Sequence, residues 1–239
     1  MDYSYLLYIG GVIVVMVWSM IVQANLKSKV QKGSEIRAAS GKTANQVVEE
    51  MLRDHGISGI TIEHKKGEMT DCYSPKEGKI YLSDTTYGRD TITAIAVAAH
   101  EAGHAVQDHE NMPIYELRQL IAPAVGIASR LGPYIVIAGV LLSAYVEGSS
   151  GNIGYNISTI GIVIYFIAFL FYLVMLPVER NASSRAYKDM KEAGWVSGDQ
   201  LSIAHKILRA AGDTYAVALA SSAVTLLRLL ALRGGRRRR

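Results

Sequence analysis

The sequence predicts a mainly α-helical membrane protein, in which a helical transmembrane bundle carries one small α+β domain. Three observations predict it. Half of the 239 residues are hydrophobic and only 19% are charged, a balance too apolar for an ordinary soluble domain. Long stretches with little or no charge recur at residues 3–22, 117–146, 153–178 and 214–232. Polar, turn-rich sequence is gathered between residues 27 and 112. The basic balance describes a terminus and not a nucleic-acid-binding face: the excess of 25 basic over 21 acidic residues equals the four arginines Arg236 to Arg239, and the rest of the chain is neutral. Such a tail is expected to sit against anionic lipid or to fix orientation. The single cysteine, Cys72, excludes an internal disulfide framework and fits a reducing compartment.

Residues 3–22 hold no charge and are long enough to cross a hydrocarbon layer of about 30 Å as a helix. The acidic start MDYSYLL lacks the basic leader of a signal peptide, so a retained anchor over residues 1–26 is expected. The basic run KSKVQKGSEIR then places residue 27 onward in the cytoplasm. Within the polar domain, residues 27–116, the stretch TANQVVEEMLRDHG reads as an amphipathic helix with a Thr43/Gln46 capping box and a terminal glycine. The GKT at Gly41 to Thr43 lacks the rest of a phosphate loop and reads as the start of that helix. Three short strands follow at residues 60–64, 69–73 and 79–83, with turns at KKG and SPKEG. Asp90 is placed to cap the next helix.

Residues 117–178 read as a membrane hairpin. Its first arm is interrupted by Pro123, Arg130 and Pro133, and its turn, EGSSGN, carries no Lys or Arg. The second arm, charge-free and aromatic, ends in the basic ERNASSRAYKDMK and so returns to the cytoplasm. Residues 179–213 form a cytoplasmic helical segment. The last apolar stretch, within residues 214–239, stays ambiguous between spanning and interfacial, because Asp213 and Arg228 bracket only about 14 uncharged residues.

The chemistry concentrates in AVAAHEAGHAVQDH. His100, Glu101 and His104 form His-Glu-x-x-His in a segment with strong helix tendency. Residues i and i+4 share a helix face, so both imidazoles can grip one ion while Glu101 reaches water beside it. Zinc would acidify that water and polarise a scissile carbonyl, and the glutamate would carry the proton to the leaving amine. Two histidines and a glutamate among Ala98, Ala99, Ala102, Gly103 and Ala105 would be costly to bury without a metal or partners. The bland alternative is a chance match on a solvated helix. Gln107 and Glu110 stand where a metzincin has Gly and His, which excludes that class. A carboxylate from a later helix is the other usual third ligand. Glu110 is too close on the same helix, and Glu147 falls on the opposite side of the membrane. Glu116 remains possible at the start of the hairpin. Glu179 returns on the side of His100, with Ala182, Ser183 and Ala186 on its face as a small-residue strip for close helix approach. A plain interfacial anion is the competing reading of Glu179.

AVAAHEAGHAVQ, LPVERNAS and MTDCYSP together resemble the YugP-like membrane-bound neutral zinc metallopeptidases, over nearly the whole chain and in order. The plan is also similar to the HtpX-like and CAAX-type membrane proteases. The resemblance implies a small zincin-like (gluzincin) metallopeptidase domain and one zinc ion per chain. It implies His100, His104 and Glu179 as ligands and Glu101 as catalytic base. A zinc-dependent endopeptidase is then expected, multi-pass in the plasma membrane, with its site facing the cytoplasm and a peptide or protein as substrate. Two departures stand out: the family's usual TDHYDP reads TDCYSP here, and Arg180 follows the glutamate. The strand bearing Cys72 and Tyr73 is expected near an edge that receives extended substrate, and a Cys72 thiolate approaching the metal is a further possibility to test. Tyr73 and Arg185 are named as oxyanion stabilisers without a spacing argument that singles them out. His55, His64, His109 and His205 read as solvated or hydrogen-bonded structural histidines. The rival functions are a metal-stabilised membrane scaffold that cuts nothing, and a lipid- or nucleic-acid-binding module built on the basic tail.

Overall fold

The computed structural model describes residues 3–145 and 149–234; Glu147 and the arginine tail fall outside them. Their order is α1 (Tyr3–Ser34), α2 (Ala44–Asp54), β1 (Thr61–Lys65), β2 (Cys72–Ser74), β3 (Lys79–Ser83), α3 (Ile92–His109), α4 (Pro113–Tyr145), α5 (Ser149–Glu192) and α6 (Asp199–Gly234). The protein is therefore mostly helical with one small sheet. Helices α1, α4, α5 and α6 are each long and apolar enough to cross a membrane. The ambiguous last stretch thus belongs to a 36-residue helix. Asp213 and Arg228 do not end it, because a side-chain charge leaves the backbone hydrogen-bond ladder untouched. Of the expected turn at 147–152, residues from Ser149 onward are already helical.

The chain divides into two units: Met1–Met20 with Leu117–Leu176 and Tyr215–Arg239, and Ile21–Glu116 with Pro177–Thr214. In the first, the arms of the α4–α5 hairpin meet along a seam of small residues. A Cβ on Gly161 would lie 2.7 Å from the Val136 amide nitrogen, and one on Gly132 3.1 Å from that of Tyr165. Gly139 and Gly154 touch the facing backbone as closely, so glycine is what lets these helices approach. α4 runs through Pro123 and Pro133 without a break. Arg228, the charge inside the last apolar stretch, lies 4.2 Å over the Tyr8 ring, which gives the guanidinium a π-face partner. Leu7, Val14 and Met20 of α1 and Leu120 and Tyr134 of α4 are exposed.

The second unit holds the sheet. Its order is β1-β3-β2, with β1 parallel and β2 antiparallel to β3, so β2 is an edge strand. Strand alternation sends Ile80 and Leu82 inward to full burial beside Val47, Val48 and Met51 of α2 and the alanines of α3. The Thr43/Gln46 capping box forms as the sequence predicts. β2 is shorter than expected. Met69 takes a left-handed φ of 52° and Gly67 one of 109°, and the Asp84 carboxylate accepts from the Gly67 amide, so the turn absorbs the first residues of the expected strand. The capping expectation for Asp90 is also corrected. Thr91 caps α3, its Oγ1 accepting from the Ala94 amide, while Asp90 is taken by Arg37, whose Nε donates to it at 2.7 Å. α1 runs past residue 26 into this unit, where the Thr93 hydroxyl donates to the Val30 carbonyl.

Candidate metal centre

α3 owes its position to small side chains. Of its 18 residues, Ala98, Ala99, Ala102, Gly103 and Ala105 are buried, leaving room for neighbours on several sides. The tightest approach is at Gly103, where a Cβ would stand 2.8 Å from the Ala182 carbonyl oxygen of α5. Ala182 and Ala186 are fully buried there, as the small-residue strip beside Glu179 predicts. α3 and the C-terminal part of α5 therefore pack backbone to backbone, and their polar side chains meet.

What meets is His100, His104 and Glu179. His100 Nε2 lies 3.1 Å from one Glu179 carboxylate oxygen and His104 Nε2 3.5 Å from the other. Ligand atoms of all three lie within 4.8 Å of one another. The imidazoles cross edge to face at 4.8 Å, as i and i+4 side chains on one face do. Glu179 is 2% exposed and His104 5%.

The tautomer of His104 is fixed by its surroundings. Gln107, fully buried, donates from Nε2 to the Val178 carbonyl and the Asn181 Oδ1, each at 2.9 Å. Its Oε1 is therefore turned to His104 Nδ1 at 2.9 Å, and that nitrogen must carry the hydrogen. In the neutral imidazole, His104 Nε2 is then left with a lone pair aimed at a carboxylate oxygen. Acceptor facing acceptor inside a buried site is unfavourable unless something positive lies between them. His100 makes the parallel arrangement, its Nδ1 lying 3.2 Å from the Ser183 hydroxyl. Donors about 2.0–2.2 Å from one tetrahedral ion lie roughly 3.3–3.5 Å apart, so the two-nitrogen, one-carboxylate set fits a divalent ion such as zinc in composition and spacing.

Glu101 sits beside this cluster and is held from the sheet: the backbone amide of Tyr73, on the edge strand β2, donates to its Oε2 at 2.9 Å. The other weakly singled-out residues are engaged elsewhere. The Tyr73 phenol donates to Asp108 at 2.8 Å; burial, then that carboxylate, push its pKa well above the ordinary tyrosine value, so it stays protonated. Arg185 donates to both oxygens of Glu110 and to the Asn181 Oδ1, and its guanidinium holds the Glu110 carboxyl below the usual range. Cys72 Sγ lies 3.6 Å from Lys65 Nζ, one residue out of step with the inward-facing Tyr73, and the clustered donors among the described residues include no sulfur. His55 pairs with Asp189 and His64 with Asp84. Glu116 starts α4 and is not among the clustered donors. The sequence reading missed Gln107 and Asn181, although a glutamine three residues after the second histidine of an alanine-rich helix was a signal: a buried amide needs partners.

The chain matches the family described as "Putative neutral zinc metallopeptidase" over residues 8–234. It is similar to "Putative membrane protease YugP" of Bacillus subtilis (strain 168), 35% identical over 212 residues that cover 89% of this chain and 90% of the relative. No solved structure matches it.

Proposed function

Because this chain belongs to that neutral zinc metallopeptidase family, we propose that it is a membrane-embedded endopeptidase in which His100, His104 and Glu179 hold one zinc ion and Glu101 is the catalytic base. The observation that carries the reading is the convergence of two imidazole nitrogens and a buried carboxylate within 4.8 Å, with a second carboxylate, Glu101, held at their side by the edge strand. When bound, zinc supplies a Lewis acid that polarises the scissile carbonyl and acidifies water. Glu101 takes the proton of the attacking water and delivers it to the leaving amine nitrogen. Its bond from the Tyr73 amide fixes the carboxylate without occupying its second oxygen. Gln107 and Ser183 orient the two imidazoles through Nδ1, an outer-sphere role that would leave Nε2 of each to hold the ion.

The zincin-like domain is supported by the edge position of β2 next to Glu101, which suits an extended substrate pairing along Cys72–Ser74. In this reading Tyr73 contributes its backbone and a braced side chain, Cys72 the strand's outer face, and Arg185 the brace on Asn181. The division into an anchor (1–26), cytoplasmic α+β domain (27–116), hairpin (117–178), ligand-bearing segment (179–213) and terminal helix (214–239) is supported by the grouping of Ile21–Glu116 with Pro177–Thr214. The plasma membrane, with the site on the cytoplasmic side, is supported by the basic runs after α1 and within α5. The exposed apolar residues of α1 and α4 suit lipid contact. A metal tie without catalysis would need ligands but no base. The test is Glu101→Gln in the full chain in detergent: bound zinc unchanged, and cleavage of an unfolded fluorogenic protein reduced at least 1,000-fold. Cleavage retained in that variant removes the proposal.

A further inference from the structure

Outside the metal cluster, the second unit has a cleft of about 410 Å³ between α5 and α6, a volume in the range of small-ligand pockets. Two helical stripes line it, each at i, i+3, i+4, i+7 spacing: residues 180 to 187 on α5 and 205 to 212 on α6. Its charge is unusual. Arg180 and Arg209 are the lining guanidiniums, opposed by a single carboxylate, Asp213. Among the described residues neither arginine forms an ion pair, even though Asp213 lies one helical turn beyond Arg209. Cationic groups gathered round a concavity and left without an acidic partner mark a place for an anion. Tyr187 and His205, rings crossed at 4.9 Å, form one wall.

The cleft is joined to the metal cluster through one residue. Ser183 lines it and also touches His100 Nδ1 at 3.2 Å. Arg180 directly follows Glu179 in the same helix. A peptide lying across the cluster would therefore have a neighbouring side chain or chain end within reach of this concavity.

We propose that the α5–α6 cleft is a substrate subsite that takes a carboxylate of the peptide near its scissile bond, held by Arg180 and Arg209. The proposal rests on the peptidase reading and names its substrate class: acidic peptides. The carboxylate comes from an Asp or Glu side chain or from a free C-terminus, and the test separates the two. A lipid headgroup would also present an anion, but the link through Ser183 to His100 favours the peptide.

The test is binding, so it does not depend on turnover. Full-length Glu101→Gln protein, zinc-loaded in neutral detergent, is titrated with three fluorescent peptides of one sequence: a central Glu with amidated end, a central Gln with amidated end, and a central Gln with free carboxylate. The amidated Glu peptide, the free-carboxylate peptide or both should bind roughly tenfold more tightly than the neutral one, and the preference should fall in high salt. Which peptide gains identifies the source of the carboxylate. Arg209→Gln should abolish the preference, and Arg209→Glu should reverse it towards a fourth, amidated peptide with a central Lys, a gain that a misfolded variant does not show. Equal binding of all three peptides, or a preference untouched by Arg209→Gln and Arg180→Gln, overturns the subsite. So does a result in which Arg209→Gln weakens only binding to phosphatidylglycerol vesicles, which would give the cleft to lipid. Cleavage by wild type and by Glu101→Gln, measured separately, decides the peptidase reading whatever the peptides show.

Discussion

Gln107 decides more at the candidate metal cluster than its neutral side chain suggests. Its amide donates twice to α5, at Val178 and Asn181, and so has only its oxygen left for His104. That fixes the proton on Nδ1 and the lone pair on Nε2. Gln107→Leu keeps the volume and the apolar packing but leaves Nδ1, the Val178 carbonyl and Asn181 without this partner. The expected loss in zinc affinity is 10–100-fold, measured by competition with a chromogenic chelator. Equal affinity in wild type and Gln107→Leu would mean that Gln107 only fills space. His100, Glu101 and His104 are legible in the sequence because helix periodicity alone places i and i+4 together. Glu179 is legible only through topology and the family resemblance, since no local spacing links it to His100, 79 positions earlier. Gln107 reads there merely as a departure from another class's pattern, because its partners lie on a helix that the sequence cannot dock.

At the scale of elements, the contact between α3 and α5 is built from residues without side chains to spare. Gly103→Ala would place a methyl group 2.8 Å from the Ala182 carbonyl, against backbone that has no rotamer by which to yield. The helices must then part, at a cost of about 1–3 kcal/mol, and the separation acts on the His–Glu distances as well. Both the unfolding midpoint and the zinc affinity should drop. A drop in neither would show the approach to be looser than described. The small strip at Ala182 and Ala186 was readable as a helix-packing face, because small residues at helical spacing permit little else. The glycine seam of the hairpin was not singled out, since Gly132, Gly139, Gly154 and Gly161 acquire meaning only when the two arms are set in register. Asp90 and Thr91 show a local limit of the same kind. Both are good N-cap residues, and the choice between them was made by Arg37, 53 positions away.

For the whole molecule, the candidate ligands come from two stretches of chain, Ile21–Glu116 and Pro177–Thr214, that belong to one unit although a membrane-length hairpin separates them in sequence. Closing so long a connection carries an entropic cost, and a shared ion would offset part of it by binding only the folded arrangement. Ligand present at 1,000 times its Kd stabilises the state it binds by about 4 kcal/mol. A carboxylate 2% exposed lies 3.5 Å from His104 Nε2, a buried pairing that a cation between them would satisfy better. A chelator should therefore lower the unfolding midpoint of the full chain in detergent, and zinc should restore it. Two variants separate this effect from catalysis. Glu101→Gln should show the same chelator-dependent drop as wild type, since it removes the base and no ligand. Glu179→Ala should begin at a lower midpoint and respond little to either reagent. A chelator response of full size in Glu179→Ala would place the stabilising ion elsewhere in the protein, and the coupling between folding and this cluster would be lost with it.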